Sequence, residues 1–203
     1  LADEDCQTKV AGLYAAGDAA TRELVAGATS GGGNQNSAWA LSSGQWAGAA
    51  AAERAKRQAG RHADIAYAAG RAGLRAAKGA RSVDIAAAVN LAREEMGALD
   101  KNMFRAGAAL AASLDALGGA FSELVDHAAG QGVTRIRARE AAAMRAAARW
   151  SKASALARVE SRGMHQRLDA PGSDPRFAAR QRVGGLETVW TAFEARDRST
   201  EAA

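Results

Sequence analysis

Cysteine is almost missing from this chain of 203 residues. Cys6 alone occurs, so no internal disulfide can form, and there is neither a CxxC metal pair nor a secreted disulfide framework. A reducing, cytoplasmic setting fits that usage, and Cys6, with no activating base near it in sequence, reads as a bystander thiol. Proline occurs twice and aromatics make up only 5% of residues, which argues against a β-sandwich, whereas long alanine-rich stretches favour close-packed helices. No window approaches the roughly 20 apolar residues of a membrane span, because the run after Trp46 stops at Glu53 and Arg54, and no direct membrane insertion is expected. His62 and His127 have no partner at metal-ligand spacing, so no metal site is expected. The chain starts at Leu1 rather than methionine, without a charged-then-apolar targeting segment, and so reads as a fragment.

What is present points to a globular, mainly α protein. Hydrophobic residues make up 48% of the chain, enough to bury a core. The net charge of +5 and pI near 9.9 come mostly from arginine. Such a balance permits a basic helical module that binds nucleic acid or a protein partner. Acids nevertheless interrupt the arginines throughout, at Glu94, Glu95, Asp100, Glu123, Asp126, Glu140 and Glu160. No basic stripe with interleaved aromatics forms, and no nucleic-acid partner is expected.

Along the chain, Val10 to Asp18 is a short apolar run ended by a glycine and an acid, which predicts a buried strand entering a turn. Residues 27 to 36 are small and polar, with Gly31, Gly32 and Gly33 in succession, and predict a loop. A proline-free stretch from Ala38 to Gln58 predicts a helix with Asn36 or Ser37 as N-cap, buried in its apolar first half. Residues 59 to 81 form a connector. Beyond it, apolar spacing predicts helices over about Ser82 to Leu99, Asn102 to Ala128 and Thr134 to Val159, packed as an antiparallel three-helix bundle. The expected bundle core includes Val89, Met96, Leu110, Leu114, Leu117, Phe121 and Trp150. A small-residue stripe of Ile136, Ala143, Ala147, Trp150 and Ser154 is expected to face it. Asp169 to Pro175 is turn-rich, and the alternation from Gly185 to Phe193 predicts an edge strand. The organisation is therefore 1–58, a connector 59–81, a bundle 82–165 and an irregular tail 166–203.

No P-loop is present, since Gly27 and Gly32 are not followed by Lys and Ser/Thr, and no GxGxxG follows a strand. However, Gly12-Leu13-Tyr14-Ala15-Ala16-Gly17-Asp18 resembles the second flavin motif of FAD oxidoreductases. Ser30 to Leu41, with Asn36-Ser37-Ala38 at its centre, resembles the small-residue loop and helix start beside the isoalloxazine ring. Arg149-Trp150 followed by Ala155 to His165, Arg167 and Asp169 resembles the signature closing the helical domain. The ordered trio is similar to the carboxy-terminal part of the succinate dehydrogenase and fumarate reductase flavoprotein family, with L-aspartate oxidase and adenylylsulfate reductase among its relatives.

That resemblance implies FAD as cofactor. It implies an end of a FAD-binding α/β domain made of strand, Gly-rich loop and buried helix. Gly17 and Asp18 would lie at the flavin's sugar-like chain, and Asn36, Ser37 and Ala38 at the ring. A missing amino-terminal half would complete the site, an electron-transfer or subunit partner would be served, and the chain alone would be inactive. The family's dicarboxylate-binding arginine before the Asn-Ser turn has no counterpart in Gly27 to Gly33, and Arg22 lies too early. The substrate, whether dicarboxylate, aspartate or adenylylsulfate, is therefore left open. Read without the resemblance, Asp18 is a turn residue, Trp39 and Trp46 are core packing, His165 is structural, and Arg158 and Arg162 pair with nearby acids.

Overall fold

Alanine and the long straight-chain residues lose little freedom in a helix, and helices make up most of the described chain. The computed structural model describes residues 2–20, 34–59, 81–128 and 132–194. The chain divides into two compact units, 1–66 and 67–203. The Gly-rich run up to Gly33, Arg22, His62 and the connector from 60 to 80 lie outside the described residues.

In the first unit the expected strand does not form. Leu13 N–H donates to Val10 O (3.0 Å) and Thr8 N–H to Leu13 O (2.8 Å), so the run folds back on itself around Gly12, whose φ is +85°. Val10 and Leu13 are 62% and 54% exposed, and only isolated bridges, Ala2 with Thr8 and Gln7 with Tyr14, pair this segment. A 3-10 turn, Gly17–Ala19, follows. Helix α1 runs Asn34–Gln58, earlier than expected, which places Asn36 and Ser37 in its first turn rather than at a cap. Among the described residues, one face of α1 is covered. Ser43 and Ala47 are buried, while Leu41 is 71% and Trp46 50% exposed, against the expectation of a buried helix. Trp39 and Trp46 meet edge to face at 6.3 Å.

The second unit holds α2 (Ile85–Gly97), a short α3 (Leu99–Asn102), α4 (Gly107–His127) and α5 (Gly132–Ala157), then the antiparallel pair β1 (Gln181–Gly184) and β2 (Trp190–Phe193). Asp84 caps α2 by accepting from Ala87 N–H at 2.9 Å, so that helix starts later than the predicted Ser82. Helix α5 packs on α4 and α2. Leu124, Ala88, Ala128, Ala138 and Ala141 form one core cluster, and Ala92, Leu117 and Ala148 another. Leu110 and Phe121 are buried as expected, whereas Val89, Leu114 and Trp150 are half-buried.

Several apolar assignments are corrected. Met96, expected in the core, is exposed in the last turn of α2, and Leu99 and Met103 are exposed where α2 has stopped at Gly97 and the chain enters a separate short turn. On α5 the inward positions are Ala138, Ala141, Arg145, Ala148 and Lys152, a 3-4-3-4 spacing, while Ile136, Ala143 and Ala147 are exposed. Apolar periodicity misplaced that face because two of its inward residues are cationic. Helix α4 is also long and apolar enough to cross a membrane by length and composition, contrary to the sequence estimate. In this fold two of its buried residues, Leu117 and Leu124, lie in the core clusters.

Gly107 and Gly119 on α4 are expected to respond oppositely to alanine. A Cβ on Gly107 would stand 2.8 Å from Asp169 Oδ2 and 2.9 Å from Arg167 Nη2, so Gly107→Ala is expected to destabilise by about 1–3 kcal/mol through overpacking. Gly119 faces open space, and Gly119→Ala is expected to stabilise by roughly 0.5–1 kcal/mol through helix propensity. Chemical denaturation of both variants reads the difference. A gain at Gly107 would show that the Asp169 contact gives way.

Candidate functional site

The site anticipated from sequence lies in the first unit. The Gly17–Ala19 turn is held from both sides by one face of α1. Gly17 N–H donates to Ser43 Oγ and Trp39 Nε1–H donates to Gly17 O, each at 2.9 Å. Ser43 in turn donates to Trp39 O at 2.5 Å, and its side chain is wholly buried. Gly17 has φ +58°, a conformation glycine adopts without Cβ strain, and the position a Cβ would take is 3.7 Å from Ala40 Cβ. Asp18 therefore sits in a turn, not at a strand end. It is exposed, and its carboxylate accepts no hydrogen bond among the described residues.

Asn36 and Ser37 lie in the first turn of α1, with Ala38 just beyond it, and the free N–H groups and dipole of that helix start favour negative charge. No acidic residue occupies that turn. Ser37 and Ala38 are exposed, and Asn36 Oδ1 is buried without a hydrogen-bond partner. A buried amide oxygen left unpaired is costly, so Asn36 Oδ1 is open to a further donor. These residues fit a flavin: a free carboxylate for sugar-chain hydroxyls, and a positive helix end with an open acceptor for the ring's N–H. Nothing among them grips a diphosphate.

The second unit carries the arginine-rich signature. Glu160 is fully buried and accepts from Arg158 Nη1 (2.7 Å), from Arg162 Nε and Nη2 (both 3.0 Å) and from Asp174 N–H (2.8 Å). The Arg162 hydrogen bonds outweigh burial and, with Asp174 N–H and Arg158, hold its carboxyl down at about 2. The buried Arg167 guanidinium donates to Ala155 O (3.1 Å) and Leu156 O (3.2 Å) at the end of α5. It also forks onto Asp169 at 2.7 and 2.8 Å. Asp169 Oδ2 accepts Gly107 N–H at 2.9 Å, so one acid joins the start of α4 to the arginine that closes α5. Arg167 and that amide keep Asp169 well below the usual carboxylate range.

His165 bridges two loops. Its Nε2 lies 2.9 Å from Arg158 O and its Nδ1 2.6 Å from Arg105 Nη1, so the network assigns the proton to Nε2 and makes Nδ1 the acceptor. Burial pushes the imidazole pKa down, and the Arg105, Arg167 and Arg158 cations add to that. A structural role, as the sequence suggested, follows. Arg158 and Arg162 pair with Glu160 as expected, and Asp169 takes Arg167.

Other residues were missed. Ser43 lay unremarked within an apolar helix. Arg145 is buried with Nε donating to Ala88 O at 3.0 Å and Nη1 unpartnered. Buried Lys152 donates to Asn102 Oδ1 at 3.0 Å, and burial pushes its pKa down. A cation at an inward helical position is the signal that could have found the last two. Cys6 is buried, with φ +62°, and burial raises its thiol pKa, with Asp3 and Asp5 adding to the rise. No group of three or more His, Cys, Asp or Glu that could hold a metal occurs among the described residues.

Comparison with known proteins adds a family match: residues 93–188 fit the model described as the fumarate reductase flavoprotein C-term. The Sdh1 complex of Mycobacterium smegmatis in the apo form is similar at 20% identity and a TM-score of 0.42, covering 56% of this chain and 20% of that one. The same organism's Sdh1 in complex with UQ1 is similar at 21% identity and a TM-score of 0.42, covering 71% of this chain and 24% of that one. The chain thus spans no more than 24% of the length of either structure. A search of curated proteins found no match.

Proposed function

Because residues 93–188 belong to the fumarate reductase flavoprotein C-terminal family, we propose that this chain is the carboxy-terminal part of a FAD-dependent oxidoreductase of the succinate dehydrogenase and fumarate reductase kind. On this reading residues 1–58 end a FAD-binding domain, residues 82–165 are an antiparallel helical bundle, and an amino-terminal half supplies the diphosphate grip. The flavin, when bound, supplies the hydride chemistry. This chain's residues hold and tune it. Asp18 and the Gly17 backbone take the sugar-chain hydroxyls, and the α1 start with Asn36, Ser37 and Ala38 stabilises negative charge on the ring. A subunit that carries electrons onward is the natural partner. The observation that carries the reading is the family match, and the clamped Gly17–Asp18 turn beside a free helix start supports it.

A nucleic-acid-binding module draws no support from the arginines of the signature, since Arg158, Arg162 and Arg167 are committed to internal carboxylates. In the complete flavoprotein, Asp18→Ala is expected to weaken FAD binding roughly ten- to more than a hundredfold, the loss of a charge-assisted hydrogen bond. Fluorescence titration of FAD into both apoproteins measures it, with thermal unfolding as control. Equal affinities would remove Asp18 from the flavin site.

A further inference from the structure

Nothing in the fold of residues 2–20 fixes the Gly17–Asp18 turn by strand pairing, because the segment forms only isolated bridges. Besides the turn's own bonds, Ala19 N–H to Ala16 O (3.3 Å) and Ala20 N–H to Gly17 O (3.1 Å), it is held by α1. The two α1 residues that reach it, Trp39 and Ser43, are four apart and so project from one helical face. They take opposite ends of the same residue: Ser43 Oγ receives the Gly17 N–H and the Trp39 indole N–H binds the Gly17 carbonyl, both at 2.9 Å. The hydroxyl that receives the amide is itself oriented by its own bond to Trp39 O, and it is completely buried. The next residue, Asp18, is left exposed, and its carboxylate has no hydrogen-bond partner among the described residues.

We infer that Trp39 and Ser43 are positioning residues for Asp18, clamping the Gly17 peptide so that the carboxylate is presented ready-oriented to a polyhydroxylated ligand; this rests on the flavin reading above. Two further observations agree with it. Asn36 and Ser37 stand on the same helix, within one turn before Trp39, so the groups proposed for the ring and the side chains that clamp Gly17 share one element. Gly17 also needs holding, because a glycine samples many backbone states, and a turn left free would lose affinity to the ordering it must undergo on binding. The indole N–H, rather than the bulk of Trp39, is the working part of the clamp.

The test uses the complete flavoprotein, with FAD affinity read by fluorescence titration and amide exchange of Gly17 read without cofactor. Ser43→Ala is expected to speed exchange at Gly17, and Ser43→Thr, which keeps the hydroxyl, to restore it. Trp39→Phe removes the N–H and keeps an aromatic ring. It is expected to raise the FAD dissociation constant about fivefold, the effect of one lost hydrogen bond, and to have no further effect once Asp18 is alanine. Wild-type protein that binds no FAD overturns the flavin reading and this inference with it. Binding that falls with Asp18→Ala but is indifferent to Trp39→Phe and Ser43→Ala overturns the clamp alone. So does a Trp39→Phe effect that simply adds to that of Asp18→Ala, since a general loss of packing would act that way.

Discussion

Glu160→Ala is expected to destabilise the second unit by about 3–5 kcal/mol, the cost of breaking a buried ion pair by removing one partner. The carboxylate is completely buried and is the shared acceptor for Arg158, Arg162 and the Asp174 amide. Without it Arg162 keeps only its bond to Asp174 O, while Arg158 keeps Phe177 O and Ala179 O, so two cations are left with no carboxylate partner among the described residues. The pH dependence has a definite sign. Glu160 has a carboxyl pKa held at about 2 in the fold, against an ordinary value of 4.5, so its contribution is fully present above that ordinary value and is lost as pH falls toward about 2. Urea denaturation should therefore show a large gap between wild type and variant at pH 7 that narrows progressively below about pH 4. A gap that stays constant to pH 2.5 would mean that the stability comes from packing rather than from the charge.

Leu117→Ala is the second large effect, expected at about 2–5 kcal/mol. Leu117 has no exposed surface and sits between Ala92 on α2 and Ala148 on α5. Those neighbours are alanines, whose side chains cannot reach into the space a leucine leaves, so the cavity stays open and the cost falls toward the upper end. Leu114, one turn earlier, is only half-buried, and its truncation should cost distinctly less. Guanidinium denaturation of the two variants side by side checks the ranking. Equal losses would contradict the assignment of Leu117 to the centre of the unit.

Much of this architecture is legible in the amino-acid sequence. The apolar spacing of Leu110, Leu117, Phe121 and Leu124 located α4 and its buried face, and the turn-rich stretch after Ser161 marked the end of the long helices. The alternation ending at Phe193 found β2 but not its partner β1, which is too short and too polar to stand out. Pattern reading failed where a polar group does the work of an apolar one. The inward face of α5 was misassigned because Arg145 and Lys152 occupy it, each buried with backbone or amide oxygens as acceptors. The Val10–Ala16 run misled for the opposite reason: its composition suits a strand, but Gly12 turns the chain back before a strand can extend. At the candidate site, Gly17 and Asp18 were found by resemblance, whereas Ser43 was not, since a serine within a helix carries no mark of its tertiary bond.

The hairpin after residue 180 shows where a sequence is free to drift. Its tip is held by α5 through main-chain oxygens, with Arg149 donating to Leu186 O (2.6 Å) and Glu187 O (3.1 Å) and Trp150 Nε1–H to Gly185 O (2.7 Å). Those acceptors belong to every amino acid, so these three bonds do not depend on which side chains stand at 186 to 188, all exposed. The constraint falls instead on Gly184 and Gly185. A Cβ on Gly184 would lie 2.5 Å from the Trp190 ring, and one on Gly185 would collide with Thr188 O. Among relatives that keep this anchorage, the tip residues can diverge widely while the two glycines, the arginine and the indole stay fixed, so a comparison scored on the tip alone would understate the kinship.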